Sequence, residues 1–243
     1  MTRGIGEVDT LQAVVPETLA FPIALLTQLG AIWFASVVLA CVYRFYDRET
    51  AVVIAGLLVA GTGLWRTIKL AYPIPRPDQP LVAMEELPLL LQPLFDLAVV
   101  DTGPGFPSGH AVTTTVVYLS LAKYLSVNTR WNRYLGAIFV ISLVGTTRMT
   151  LGVHYLVDVV GGAAIGHGLL VGFHWLVSTT SLPRATTALG LGVCSASVCL
   201  VTSALTSLFS FWELGLFAAG VALALWWHVL GRYRHPLRVG EPL

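Results

Sequence analysis

The apolar residues of this chain fall in long blocks separated by short polar breaks. Seven blocks match the roughly 20 apolar residues that a helix needs to cross a bilayer. They cover 19–43, 51–72, 109–127, 134–150, 155–178, 186–208 and 214–231. Most breaks are brief: "RFYDRE" at 44–49, "NTRWNR" at 128–133 and "LPR" at 182–184. One break, 73–108, is long and rich in proline. Its middle, "AMEELPLLLQPLFDLAVV", is amphipathic in patches, and suits a short interfacial helix or a packed surface loop equally well. The pattern predicts an all-α fold, a polytopic membrane helical bundle that takes residues 1–243 as one domain.

Composition agrees. Of 243 residues, 56% are hydrophobic and 11% charged, where soluble domains carry about 25% charged residues. Mean hydropathy is +0.77. A net charge of +1 leaves no nucleic-acid footprint. Cys41, Cys194 and Cys199 lie in apolar runs and read as small packing residues, with no disulfide framework and no CxxC metal spacing. The first eighteen residues contain Glu7, Asp9 and Glu17, unlike the basic start of a signal peptide.

Basic residues in short loops set membrane orientation. With the N-terminus outside and seven spans, Arg44, Arg48, Lys123, Arg130, Arg133, Arg184, Arg232, Arg234 and Arg238 fall inside. Arg3, Arg66, Lys69, Arg76 and Arg148 are left outside. The bias predicts an outer N-terminus and a cytoplasmic C-terminus. All the outer cations except Arg3 cluster at the outer ends of the second and fourth blocks.

Those ends also carry the candidate chemistry. Lys69 closes the second block, and Arg76 follows in "KLAYPIPRP", where the prolines favour a stiff, extended chain. "FPSGHA" at 106–111 opens the third block, with Ser108 and Gly109 where an N-cap and first turn belong. Free amides at a helix start make an anion site, and His110 lies in that turn. Arg148 ends the fourth block. "VHYLVD" at 153–158 places His154 and Asp158 four apart on one helix face. Cations, a helix N-terminus and two histidines at one level suit a phosphate. A carboxylate beside His154 can fix its tautomer and leave the other ring nitrogen free to attack.

Lys69-x6-Arg76-Pro77, Pro107-Ser108-Gly109-His110 and Arg148-x5-His154-x3-Asp158 resemble the three signature motifs of the type 2 phosphatidic acid phosphatase (PAP2) superfamily. They occur in the family's order and spacing across 69–158. The third motif usually begins Ser-Arg; here it begins Thr147-Arg148, which keeps the hydroxyl. The resemblance implies a six-helix core, to which this chain adds a seventh span and its first eighteen residues. It implies a phosphatase without metal or cofactor, acting on a phosphorylated membrane lipid. In that scheme His154 attacks phosphorus, Asp158 orients it, and His110 protonates the leaving oxygen and then activates water. Lys69, Arg76, Arg148 and the amides near Ser108 and Gly109 hold the phosphoryl oxygens.

Other readings stay open. A transferase of the same fold would pass the phosphoryl group to an acceptor other than water. Intramembrane charges also mark transporters, although those usually hold them near the midplane on broken helices. Polyprenyl diphosphates, phosphatidic acid and related lipids are candidate substrates, and a soluble sugar phosphate is another. Arg66 reads as a residue snorkelling to the interface. Tyr72 and Asp101 read as structural, as do His167, His174, His228 and His235. Gly162-x3-Gly166 reads as a close helix contact.

Overall fold

The structure is a computed structural model, and it describes residues 3–77, 79–99, 103–208 and 210–232. Asp101, Arg234, His235 and Arg238 lie outside the described residues. The described residues are helical without strands: α1 (Glu7–Val14), α2 (Ala20–Thr27), α3 (Ile32–Phe45), α4 (Arg48–Ala71), α5 (Gln92–Val99), α6 (Gly109–Tyr124), α7 (Arg130–Thr150), α8 (Leu156–Thr179), α9 (Arg184–Leu205) and α10 (Phe211–Arg232).

α4 is the hub of the bundle and packs against α3, α6, α8, α9 and α10. Its side chains pass apolar residues to the main core, in which Val52, Val53 and Leu57 meet Val112 and Val116 of α6 and Ala188 and Leu189 of α9. Ser195 of α9 donates to the carbonyl of Ala60 at 2.8 Å, a hydrogen bond between helices that small residues make reachable. Asp47 caps α4 by accepting from the Thr50 amide at 2.7 Å. Burial pushes the Asp47 carboxyl up, but its bonds to Thr50 and the Glu49 amide outweigh this and hold it below the usual carboxylate value.

α4, α8, α9 and α10 are long and apolar enough to cross a membrane. Of the other three expected spans, α7 has 21 residues but falls short in hydropathy, and two are less simple. α6 has 16 residues and turns Thr113, Thr114, Thr115 and Ser120 into the protein interior, so its polar groups face protein instead of lipid. The block 19–43 is not one helix. It breaks after the 3-10 turn Gln28–Gly30, where Ala31 is extended, and gives α2 and the 14-residue α3. The break brings Gly30 against the third motif's neighbour: a Cβ on Gly30 would lie 2.8 Å from Val144 and 3.0 Å from the His110 ring. α1 and the stretch Glu17–Gly30 meet at 96°.

These N-terminal pieces form a cap with the 73–108 segment, which carries a 3-10 turn at Met84–Glu86 and the short helix α5. Ala20 and Ala24 pack with Leu81, Val82, Phe95 and Leu151 in a second cluster. The cap therefore sits on the turn that joins α7 to α8. Gly152 in that turn has φ of +71, and a Cβ there would overlap the Gln79 carbonyl oxygen. Glycine suits both demands.

Candidate active site

α6 and α8 meet through Gly162 and Gly166. A Cβ on Gly162 would lie 2.6 Å from the Ser108 carbonyl oxygen, and one on Gly166 would lie 2.9 Å from Cβ of Thr115. The expected glycine contact is thus the seam that sets the N-terminus of α6 beside the N-terminus of α8. Across it the Ser108 amide donates to the Asp158 carbonyl at 2.9 Å. Ser108 is buried and caps α6 with its hydroxyl, which accepts from the Ala111 amide at 3.4 Å.

On the α8 side, His154 and Asp158 are almost fully enclosed, at 1% and 0% exposed. His154 Nδ1 lies 3.5 Å from Asp158 Oδ2. The same carboxyl oxygen accepts from the Tyr155 amide at 3.0 Å. Arg76 arrives from the proline-rich stretch. Its Nε donates to the Gly103 carbonyl at 2.7 Å and its Nη1 to the Val153 carbonyl at 2.8 Å. Nη1 also stands 3.1 Å from His154 Nε2. The guanidinium is fixed here by backbone carbonyls at Nε and Nη1, and Nη1 also reaches the histidine ring nitrogen.

Arg148 is 1% exposed at the end of α7, and its carbonyl accepts from the Val153 amide at 3.2 Å. Thr147 beside it donates its hydroxyl to the Val144 carbonyl at 2.7 Å, a bond that serine at this position could also make. Lys69, 2% exposed, stands with Nζ over the Trp65 ring at 5.1 Å. Lys69, Gly109 and His110 line a cavity of about 440 Å³ together with Gly30, Trp65 and Trp212. Thus Arg76, His154 and Asp158 are in direct contact, Ser108 joins them through the backbone, and Lys69, Gly109 and His110 share a cavity.

The chain belongs to the PAP2 superfamily. The family profile matches residues 50–181, more than half of the chain. That match spans α4, α6, α7 and α8, and with them every motif residue named above. Phosphatidylglycerophosphatase B of Bacillus subtilis (strain 168) is 32% identical over 82 residues. The aligned part is 31% of this chain and 40% of that relative, so the chain spans well under half of the relative's length. No solved structure matches. Outside the matched region this PAP2 chain carries its N-terminal residues with α1 to α3, and at the other end α9 and α10.

Two of these additions touch the site, and sequence reasoning missed both. Arg3 was the one outer cation set apart from the cluster. Its Nη1 donates to Asp158 Oδ1 at 2.8 Å and its Nη2 to the Pro75 carbonyl at 2.6 Å. Arg66 does not snorkel free: its Nε donates to Glu213 Oε1 at 2.8 Å, and Glu213 is fully buried at the start of α10. Glu213 also accepts from the Ser210 amide at 3.0 Å. This pair fastens α10 to α4 one turn before Lys69. A lone acid in the short break just before the last apolar block was the available signal for it.

Proposed function

We propose that this PAP2 chain is a membrane phosphatase that removes the phosphate or diphosphate of a lipid through a phosphohistidine at His154. The observation that carries the proposal is the contact chain Arg76–His154–Asp158. In the first step the Nε2 lone pair forms a bond to phosphorus while the bond from phosphorus to the leaving oxygen breaks. His110 gives its proton to that oxygen. In the second step water attacks phosphorus, its proton passes to the now neutral His110, and the N–P bond breaks. Lys69, Arg76, Arg148 and the amides at Ser108 and Gly109 hold the equatorial oxygens, where charge gathers in the transition state. No electron or metal is needed to balance either step.

A lipid fits the apolar surroundings. A groove of about 800 Å³ runs between α3, α4 and α10, lined by Leu39, Leu58 and Leu216 among others. It shares Ile32, Trp33 and Trp212 with the cavity that holds Lys69 and His110. A hydrocarbon tail in the groove would lead to a headgroup at those polar residues. Phosphate release by purified protein from phosphatidic acid, phosphatidylglycerol phosphate and a polyprenyl diphosphate tests the proposal, with His154→Ala as the blank. Release that the blank matches would reject it. The basic-residue bias supports a site on the outer side of the cell membrane. A cysteine placed at 85–90, in a chain lacking Cys41, Cys194 and Cys199, should then react with an impermeant thiol reagent in intact cells. Labelling only after lysis would put the site on the cytoplasmic side.

A further inference from the structure

Asp158 is 0% exposed and has two oxygens to satisfy. A buried carboxylate without a charge partner is costly. Arg3, which precedes the matched family region, provides one at Oδ1 from the far N-terminus, at 2.8 Å. With Oδ1 held by Arg3 and Oδ2 by the Tyr155 amide, the carboxylate cannot rotate. Its second oxygen is thereby kept toward Nδ1 of His154. Arg3 lies over the Tyr155 ring at 5.3 Å, which stiffens it further.

The segment that carries Arg3 is itself tied down. Glu7 Oε2 accepts from the Ile5 amide at 2.6 Å, and Oε1 accepts from the Leu156 amide at 2.9 Å, at the first turn of α8. Gln12 donates to the carbonyls of Gln79 and Thr150 at 2.8 and 3.1 Å. Arg3 also holds the Pro75 carbonyl, one residue before Arg76. Gly105 leaves the room: a Cβ there would lie 2.9 Å from the Pro75 carbonyl oxygen and 3.2 Å from Arg3 Nη2. The N-terminal strap therefore joins the orienting carboxylate to the stretch that delivers Arg76.

We infer that Arg3 is a positioning residue of the reaction, fixing the Asp158 carboxylate so that His154 presents Nε2 for attack. The inference rests on the phosphatase reading above. The charged and titratable groups around the pair are Arg3 and Glu7 from the N-terminal strap, Arg76 from the proline-rich stretch and Tyr155 beside His154. Arg148 joins them from the end of α7, and His110 stands two residues beyond Ser108 on α6. Among them Arg3 sits on the carboxylate oxygen that faces away from His154. Its charge offsets part of the pull by which Asp158 stabilises protonated His154. Loss of that charge favours the protonated ring, so the acid limb of the rate profile moves to higher pH.

The test compares Arg3→Met, Arg3→Gln and Arg3→Lys with the unaltered chain, using dioctanoyl phosphatidic acid in detergent micelles as the probe. Gel filtration selects folded protein, and Arg3→Gln stands in if Arg3→Met does not fold. Arg3→Met should lower kcat about 10–100-fold, by analogy with the loss of an outer partner that orients a metal-ligating side chain. KM should change little, the acid limb should move up in pH, and Arg3→Lys should recover most of both effects. An unchanged kcat, a loss uniform across pH, or a loss that lysine does not relieve would overturn the inference. Phosphate release that survives His154→Ala would instead overturn the phosphohistidine reading on which the inference rests. No phosphate release from the whole lipid panel would do the same.

Discussion

Arg76 Nη1 stands 3.1 Å from Nε2 of His154. A guanidinium has donors only, so the nitrogen facing it carries the lone pair. The ring proton then lies on Nδ1, toward Asp158 Oδ2 at 3.5 Å. The resting geometry thus aims the lone pair proposed to attack phosphorus at the cation that would hold a phosphoryl oxygen.

Arg76→Ala should lower kcat/KM by about 10²–10³-fold, the usual cost of losing one preorganised donor to developing charge. Arg76→Lys should recover only part, because lysine keeps the charge but loses the fork that holds the Gly103 and Val153 carbonyls and would hold a phosphoryl oxygen with them. Steady-state kinetics on the best lipid substrate measures both. Full activity in Arg76→Lys would mean that charge alone matters at this position.

The proposed steps require His110 and His154 to start in opposite protonation states, one giving a proton and one neutral. kcat/KM should therefore be bell-shaped in pH. His110→Asn should remove the limb that falls at high pH, with most of the rate. A p-nitrophenyl phosphate ester, whose leaving group needs no proton, should recover part of the loss. Equal slowing of activated and ordinary substrates would reduce His110 to a phosphate-binding residue at the start of α6.

Groups of three or more His, Cys, Asp or Glu side chains placed to hold a metal ion do not occur among the described residues. The proposed steps use fixed cations and amides instead. Activity should persist in excess EDTA, and vanadate, which can take the five-coordinate form of the transition state, should inhibit. A strict need for added Mg²⁺ in a detergent assay would contradict the proposed steps.

The motif residues were legible in the sequence because each is tied to a local event. Ser108 caps the helix it begins, Arg76 follows prolines that keep the chain extended, and His154 and Asp158 are four apart. The helical bundle was legible for a similar reason, since long apolar blocks leave few other folds. The break at Gly30 was hidden inside an apolar block, with only Thr27, Gln28 and Gly30 to hint at it. Its cause is tertiary, the approach of that backbone to His110. Arg3 and Glu213 were hidden for the same reason: their partners, Asp158 and Arg66, are 155 and 147 residues away. The charge count groups Arg3 with the cations expected on the outer side, but only the fold of the N-terminal cap brings it to Asp158.

The central claim is a covalent bond between phosphorus and His154, and trapping it is the most direct measurement. Protein mixed with excess lipid phosphate, quenched in alkali to preserve an N–P bond and digested, should yield a phosphorylated peptide bearing the group on His154. The label should vanish in His154→Ala, and should persist longer in His110→Asn, where water activation is lost. Rapid turnover with no phosphorylated His154 at any quench time, or with the group on another side chain, would contradict the account.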